Sequence, residues 1–324
     1  MIPFTVRMAI PKGSLEEDTF SFIRQSGINI YGASRSYRPK VDYPDLSVKI
    51  LRPQEIPVLV QEGTYDLGIA GRDWVRENRA DVRELLDLDY GKVRLVLAAP
   101  VNSEISSLDD LVNLSMERPV SISTEYLNLA SEWVSSRPSY KEVYDRPPTV
   151  ITPWYRVEGN ERFRLILSFG ATEAKPPEDA DAIIDNTATG TTLAQNGLRV
   201  VEEVCESSAV LIANKDSLRD EDKLERIKDI YALFRGVVYA RRRVHIFLNV
   251  REDNLEELIS ILPALKGPTI SKLSEEGWFA VNTVLERGKL LELLPRLRRL
   301  AQGLVVTDPR QVLLLEDVEG IGES

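Results

Sequence analysis

Apolar residues fall in short blocks along this chain, separated by polar turns, and the blocks alternate between two periods. Residues 6–10, 46–51, 65–70 and 93–100 form continuous or alternating apolar runs that read as strands. Between them, residues 15–25 repeat at helical spacing and stop at Gly27, and residues 53–61 give a shorter helix stopped at Gly63. A further helix begins near Trp74. This βα alternation predicts a mostly parallel sheet covered by helices. A second α/β region follows, with helices over 107–114 and 125–135 and strands over 120–123 and 165–169. The polar, proline-rich stretch 137–148 is expected to be a loop.

Residues 182–184 then form another short apolar run, which reads as a buried strand and leads through Asp185 into small polar residues. They pass through Ala188, Thr189, Gly190, Thr191 and Thr192 into a helical turn stopped at Gly197. Strands over 199–204 and 209–214 follow, then a charged helix over 216–240 that Gly236 is expected to interrupt. Beyond it the order is strand 244–250, helix 254–261, strands 269–273 and 278–285, helix 289–301 and strand 304–307. That β-α-β-β-α-β order describes a small ferredoxin-like domain. The expected fold class is α/β, with two catalytic-type lobes and a carboxy-terminal domain. Lobe I is expected over 1–103 with 197–235, lobe II over 104–196, and the third domain over 236–324. A cleft between two α/β lobes is a usual place for a small-molecule site.

Composition narrows the choice. A chain of 324 residues with 43% hydrophobic and 28% charged residues is that of an ordinary globular protein. A net charge of −10 argues against a nucleic-acid coat or a binder of anionic membranes. Cys205 is the single cysteine and His245 the single histidine, which excludes an intrachain disulfide and a histidine-rich zinc site. Residues 1–7 run into a strand-like segment without the apolar core of a signal peptide, and no apolar run is long enough to span a bilayer. The expected location is cytoplasmic.

The candidate chemistry lies at strand ends. Open α/β sheets bind ligands beyond the carboxyl ends of their strands. Lys12, Arg52, Arg72 and Asp73 all fall there. The stretch 185–192 combines a strand end, small hydroxyl residues, a glycine and a helix start, and so suits a phosphate. A threonine-capped turn has the same local pattern. Asp185 would repel a phosphate, so it should face ribose hydroxyls or Mg²⁺.

Several segments together resemble the long-form ATP phosphoribosyltransferase family. Residues 182–198 are similar to its phosphoribosyl-diphosphate loop. Pro11-Lys12-Gly13, Ile56-Pro57, Asp66 to Gly71, Arg94 to Pro100, Gly236-Val237-Val238, Leu262-Pro263, Pro268-Thr269-Ile270 and Trp278 to Val281 fall in the family's order. Four places depart from its pattern. Ser14 stands where an arginine is usual, and Asn186 where an aliphatic residue is usual. Lys175 to Asp179 replaces a glycine, and Phe169 to Thr172 replaces an Asn-Gly-Ser.

The resemblance implies a two-lobed catalytic region similar to periplasmic binding proteins, with an ACT-like regulatory domain. It also implies a homo-oligomer, dimer to hexamer, inhibited by histidine. The implied reaction joins N1 of ATP to C1 of phosphoribosyl diphosphate and releases pyrophosphate, with Mg²⁺, as the first step of histidine biosynthesis. It assigns Asp185 to the ribose hydroxyls. Thr187, Thr189, Gly190, Thr191 and Thr192 go to the phosphoribosyl substrate with Glu173, and Lys12, Gly13, Arg52, Gly71 and Asp73 to ATP. Asp185 and Lys12 carry the catalytic assignment, and the metal ligands stay open. Asn249, Thr269, Ser271 and Leu273 are the candidate histidine contacts. The alternative from another class is a non-catalytic ligand-sensing protein on the same two-lobed fold.

Overall fold

The computed structural model describes residues 6–33, 36–263, 267–315 and 321; the expected entry into the first strand at 1–5 lies outside them. In chain order the elements begin with β1 (Val6–Pro11), α1 (Glu16–Gln25), and a small ribbon of β2 (Ile30–Tyr31) and β3 (Lys40–Val41). Next come β4 (Leu46–Leu51), α2 (Ile56–Gln61), β5 (Leu67–Gly71), α3 (Arg72–Glu77) and β6 (Arg83–Asp87). These lead to β7 (Val93–Pro100), α4 (Leu108–Glu117), β8 (Val120–Thr124), α5 (Leu127–Ser136), α6 (Pro138–Val143), β9 (Pro148–Ile151) and β10 (Arg156–Val157). Then follow β11 (Asn160–Leu167), β12 (Ala182–Thr187), α7 (Thr191–Gln195), β13 (Leu198–Ser207) and β14 (Ala209–Ala213). The rest is α8 (Glu221–Ala240), β15 (Arg243–Arg251), α9 (Glu252–Ile261), β16 (Thr269–Lys272), β17 (Trp278–Glu286), α10 (Arg287–Leu300) and β18 (Ala301–Thr307).

The chain divides into two compact units, one holding 6–18 and 47–217, the other holding 19–46 and the chain from 218 onward. The first unit contains two sheets. One has the order β4-β1-β5-β14-β6, with β1 parallel to β5 and β14 antiparallel to both of its neighbours. The other has the order β10-β9-β11-β8-β12-β7-β13. Strands β11, β8 and β12 run parallel, and β7 runs antiparallel to β12 and β13. Both sheets are therefore mixed.

Three sequence expectations change here. Strands β7 and β13 belong to the second sheet, not to lobe I, so the chain crosses between sheets near residues 88–92 and 207–209. Their apolar pattern marks them as strands but carries no information about which sheet accepts them. Leu95, Leu97 and Ala99 of β7 complete a core with Ile122, Phe163, Leu165 and Ile184. The expected loop 137–148 instead contains α6 and the start of β9. Pro138 occupies the first turn of α6, where a missing N–H costs nothing, and Tyr140 anchors the helix in the core. The third change is in the second unit, where α8 runs through Gly236 without interruption. A side chain at 236 would meet Leu313 Cδ2 at 2.3 Å, and Val312 N–H donates to Gly236 O at 3.0 Å. Gly236 is therefore a packing site for the segment after β18.

The second unit carries the expected β-α-β-β-α-β order in an antiparallel sheet, β16-β17-β15-β18. Val244, Ile246, Leu248 and Val250 of β15 face a core with Leu258, Leu290 and Leu297. The alternate residues Phe247 and Asn249 are exposed, as the period of two requires. Phe22 of α1 meets Phe234 edge to face at 5.1 Å. Among the described residues no helix is long and apolar enough to cross a membrane.

Candidate active site

Strand β12 ends in the loop that the sequence singled out. Ile183 and Ile184 are wholly buried and fix the strand in the sheet. Ile183 lies on one face with Val96, Ala98 and Leu193, while Ile184 joins the core on the other face. By alternation, Asp185 and Thr187 follow Ile183, and Asn186 follows Ile184. Leu193 pins α7 to the first face, so the turn between strand and helix is short and held at both ends.

The turn closes on its own residues. Thr187 Oγ1 accepts the Gly190 N–H at 2.9 Å. Gly190 has φ +80°, a left-handed conformation that suits glycine. Thr189 and Thr191 hydroxyls lie 2.8 Å apart, and the side chains of Thr189, Thr191 and Thr192 are exposed. The loop therefore presents the three threonine side chains outward, while the Thr191 N–H donates to Thr189 Oγ1 at 3.4 Å.

Asp185 sits inside the same turn. Burial pushes its carboxyl up to about 7. The Asn186 N–H at 2.7 Å and the Thr172 hydroxyl act in the opposite direction, and the nearby charges of Glu125 and Glu173 raise it further. Thr172 is itself buried and bonds Ser168 Oγ at 3.1 Å. Asp185 and Glu173 thus belong to one acidic neighbourhood, and Glu125 completes it.

Lys12 and Arg52 also come together. Lys12 N–H donates to Leu51 O at 2.7 Å, which sets the ends of β1 and β4 side by side. Arg52 is exposed. Gly13 N–H donates to Glu16 Oε2 at 3.2 Å and caps α1. Two residues beyond Arg52, Gln54 Nε2 donates to Glu125 Oε2 at 3.2 Å, while Gln54 Oε1 is buried without a partner among the described residues. This contact joins the Lys12 and Arg52 edge to the Asp185 neighbourhood.

Gly71 and Asp73 have a structural duty. Asp73 Oδ1 lies so close that a Cβ on Gly71 would approach it to 2.1 Å. Asp73 is buried. It accepts the Tyr126 hydroxyl on Oδ2 at 2.7 Å and the Ser207 hydroxyl on Oδ1 at 2.9 Å. Asn186 Nδ2 donates to Tyr126 Oη at 2.7 Å, and Trp74 stacks on Tyr126 at 4.5 Å. Helix α3 is held against the second sheet by this chain and by Glu77, whose carboxylate accepts the Asn128 and Leu129 N–H groups at 2.9 Å.

A cleft of about 330 Å³ opens beside Ala188, with Arg72, Lys92 and Arg94 on its walls. Arg72 is committed to Glu84 and Asp87 at 2.5 and 3.1 Å, which hold it charged. Sequence reasoning missed Gln54, Glu125, Tyr126 and Thr172. Glu125 and Tyr126 follow directly on β8, so the rule that selected Lys12 and Arg52 reaches them too. In the second unit, Asn249 and Ser271 both register with Ala280 and form one exposed row across the sheet, with exposed Thr269 nearby. Leu273 N–H donates to Trp278 O at 2.9 Å beside that row.

This α/β unit thus brings together a strand-loop-helix turn with outward hydroxyls, an acidic neighbourhood and cationic strand ends. The profile of the ATP phosphoribosyltransferase (HisG) family matches residues 52–236, and that of the HisG carboxy-terminal domain matches residues 240–309. The ATP phosphoribosyltransferase of Solibacter usitatus is 37% identical over 315 residues, covering 96% of this chain and 99% of the relative. That of Pelotomaculum thermopropionicum is 38% identical over 299 residues, covering 91% of this chain and 94% of the relative. The solved ATP phosphoribosyl transferase (HisG:HisZ) complex from Thermotoga maritima shares the fold, with a TM-score of 0.54 and 23% identity over 71% of this chain and 99% of that chain. The chain belongs to the ATP phosphoribosyltransferase family, and no observation favours the non-catalytic alternative.

Proposed function

We propose that residues 185–192 form the phosphoribosyl-diphosphate site of this ATP phosphoribosyltransferase, which carries out the first step of histidine biosynthesis. The carrying observation is the closed turn from Thr187 to Gly190, with outward Thr189, Thr191 and Thr192 hydroxyls and Asp185 one strand step behind. The hydroxyls suit the 5′-phosphate. Asp185 suits the ribose hydroxyls, which would donate to its carboxylate and stabilise its charged form.

N1 of adenine carries a free lone pair, so no base is needed to make the nucleophile. The N1–C1 bond forms as the bond from C1 to the pyrophosphate oxygen breaks, and the bonding pair leaves with pyrophosphate. The work left to the protein is orientation and stabilisation of departing charge. Lys12 and Arg52, set side by side at the strand ends, are assigned to the nucleotide phosphates or pyrophosphate, with Gly13. Gly71 and Asp73 contribute by holding α3. Mg²⁺ would neutralise the diphosphate. Among the described residues no group of three or more His, Cys, Asp or Glu is placed to hold a metal ion. The hard oxygens of Asp185 and Glu173 fit Mg²⁺ that is carried mainly by substrate phosphates.

Histidine as inhibitor, bound at the exposed Asn249 and Ser271 row with Thr269 and Leu273 beside it, and a homo-oligomer from dimer to hexamer complete the proposal. The test is to combine ATP, phosphoribosyl diphosphate and Mg²⁺ with the protein. Stoichiometric pyrophosphate and an N1-substituted adenine nucleotide are expected. Absence of both contradicts the reading. Lys12→Met should weaken ATP or pyrophosphate binding in calorimetry without unfolding the protein.

A further inference from the structure

Asn186 lies next to Asp185, but its side chain points to the other face of β12. It is exposed at the strand's carboxyl end, yet its amide nitrogen reaches a phenol that is wholly buried. The hydrogen positions along this chain follow from its far end. Ser207 Oγ accepts the Asp73 N–H at 3.0 Å and donates to Asp73 Oδ1 at 2.9 Å. Tyr126 donates its single hydroxyl hydrogen to Asp73 Oδ2 at 2.7 Å. The phenol oxygen is left with acceptor capacity alone. Asn186 can satisfy it only with its NH₂ group, which fixes the amide orientation. The carbonyl Oδ1 is thereby turned away from the phenol. It has no hydrogen-bond partner among the described residues.

We propose that Asn186 Oδ1 is a specificity-determining acceptor that reads the exocyclic 6-amino group of the purine. This rests on the function proposed above and refines it. The amino group is bonded to the ring carbon next to N1, so it travels with the reacting atom. For N1 to reach the sugar carbon, the amino group must come close to the residues that hold the sugar. Asn186 follows Asp185 at the same strand end, where the two side chains flank that end from opposite faces, and its acceptor's direction is set in advance. A pre-set acceptor discriminates better than a freely rotating one, because it cannot turn to offer a donor to a 6-oxo purine. The chain from Ser207 through Asp73 and Tyr126 is what denies it that rotation.

The test compares ATP with purine ribonucleoside triphosphate, which keeps the N1 lone pair and lacks the amino group. Both are assayed at saturating phosphoribosyl diphosphate and Mg²⁺ with the full chain, its isosteric variant Asn186→Leu, and Tyr126→Phe. The readout is the ratio of kcat/KM between the two nucleotides. Asn186→Leu should reduce the wild-type preference for ATP by about 3- to 10-fold, the worth of one hydrogen bond to a neutral group. Tyr126→Phe keeps the ring on Trp74 and removes only the hydroxyl, so Asn186 is free to rotate. It should lose part of the preference while the KM for phosphoribosyl diphosphate stays near wild type. Equal preference in wild type and Asn186→Leu overturns the inference. Retained preference in Tyr126→Phe together with loss in Asn186→Leu overturns the proposed locking. Failure of the wild type to form product from ATP tests the function itself and is seen separately.

Discussion

Thr187 Oγ1 accepts the Gly190 N–H at 2.9 Å, and this single bond shapes the loop whose outer side carries Thr189, Thr191 and Thr192. Thr187 is buried, and its hydroxyl oxygen serves as an acceptor inside the loop. Thr187→Val keeps the shape and removes the acceptor, leaving the Gly190 N–H without its partner. The expected cost is about 1–2 kcal/mol, seen as a 5- to 30-fold rise in KM for phosphoribosyl diphosphate. An unchanged KM contradicts this role.

Asp185 sets a pH dependence of stability. Its folded pKa is raised from 3.8 to about 7, with burial as the main cause. Between those values the folded protein keeps a proton that the unfolded chain has lost. Stability therefore falls as pH rises through this window and levels off above about 7. Asp185→Asn is neutral throughout and removes the slope. It should be more stable than wild type by about 1–3 kcal/mol at pH 8, with the gain vanishing near pH 4. Denaturant titrations at the two pH values check it, and an equal difference at both contradicts it.

Glu77 should be worth more to stability than its surface neighbours. It is buried and accepts two N–H groups from the first turn of α5. Burial raises its pKa, and the two bonds oppose that shift. Glu77→Ala leaves both donors without a partner and should cost about 2–4 kcal/mol, whereas Glu77→Gln keeps one acceptor and should cost less. Equal losses in the two variants, measured by urea denaturation, contradict the assignment.

Gly236 gives a local test in the second unit. Gly236→Ala would press on Leu313, and the expected destabilisation is about 1–3 kcal/mol. A melting temperature equal to wild type would show that the 311–315 segment does not rest on α8.

The row of Asn249 and Ser271 tests the regulatory reading. Ser271→Arg should raise the histidine concentration needed for half inhibition by at least about tenfold, with uninhibited kcat unchanged. Unchanged sensitivity, or no inhibition of the wild type, contradicts it.

Much of this is legible in the sequence. The strand through Ile184, the helix that starts at Ser107 and the order of the carboxy-terminal domain all follow local rules, and local rules survive folding. Pro138 misled because proline starts helices as readily as it marks loops. Gly236 misled because a glycine also admits a close neighbour, here Leu313, which lies far along the chain and leaves no local pattern around Gly236. The pairing of β7 with β12 and the chain from Asn186 to Asp73 depend on residues at least 53 positions apart in sequence, and no local pattern encodes them.

The central claim is that residues 185–192 bind the phosphoribosyl substrate. Its most direct test is calorimetric titration of phosphoribosyl diphosphate with Mg²⁺ into wild type, Asp185→Ala and Thr192→Val at pH 8. Each variant removes one hydrogen bond to a charged group, worth about 1.5–3 kcal/mol, so Kd should rise at least about tenfold in both while the fold, followed by circular dichroism, is retained. A wild-type Kd in both variants would place the substrate elsewhere and contradict the account.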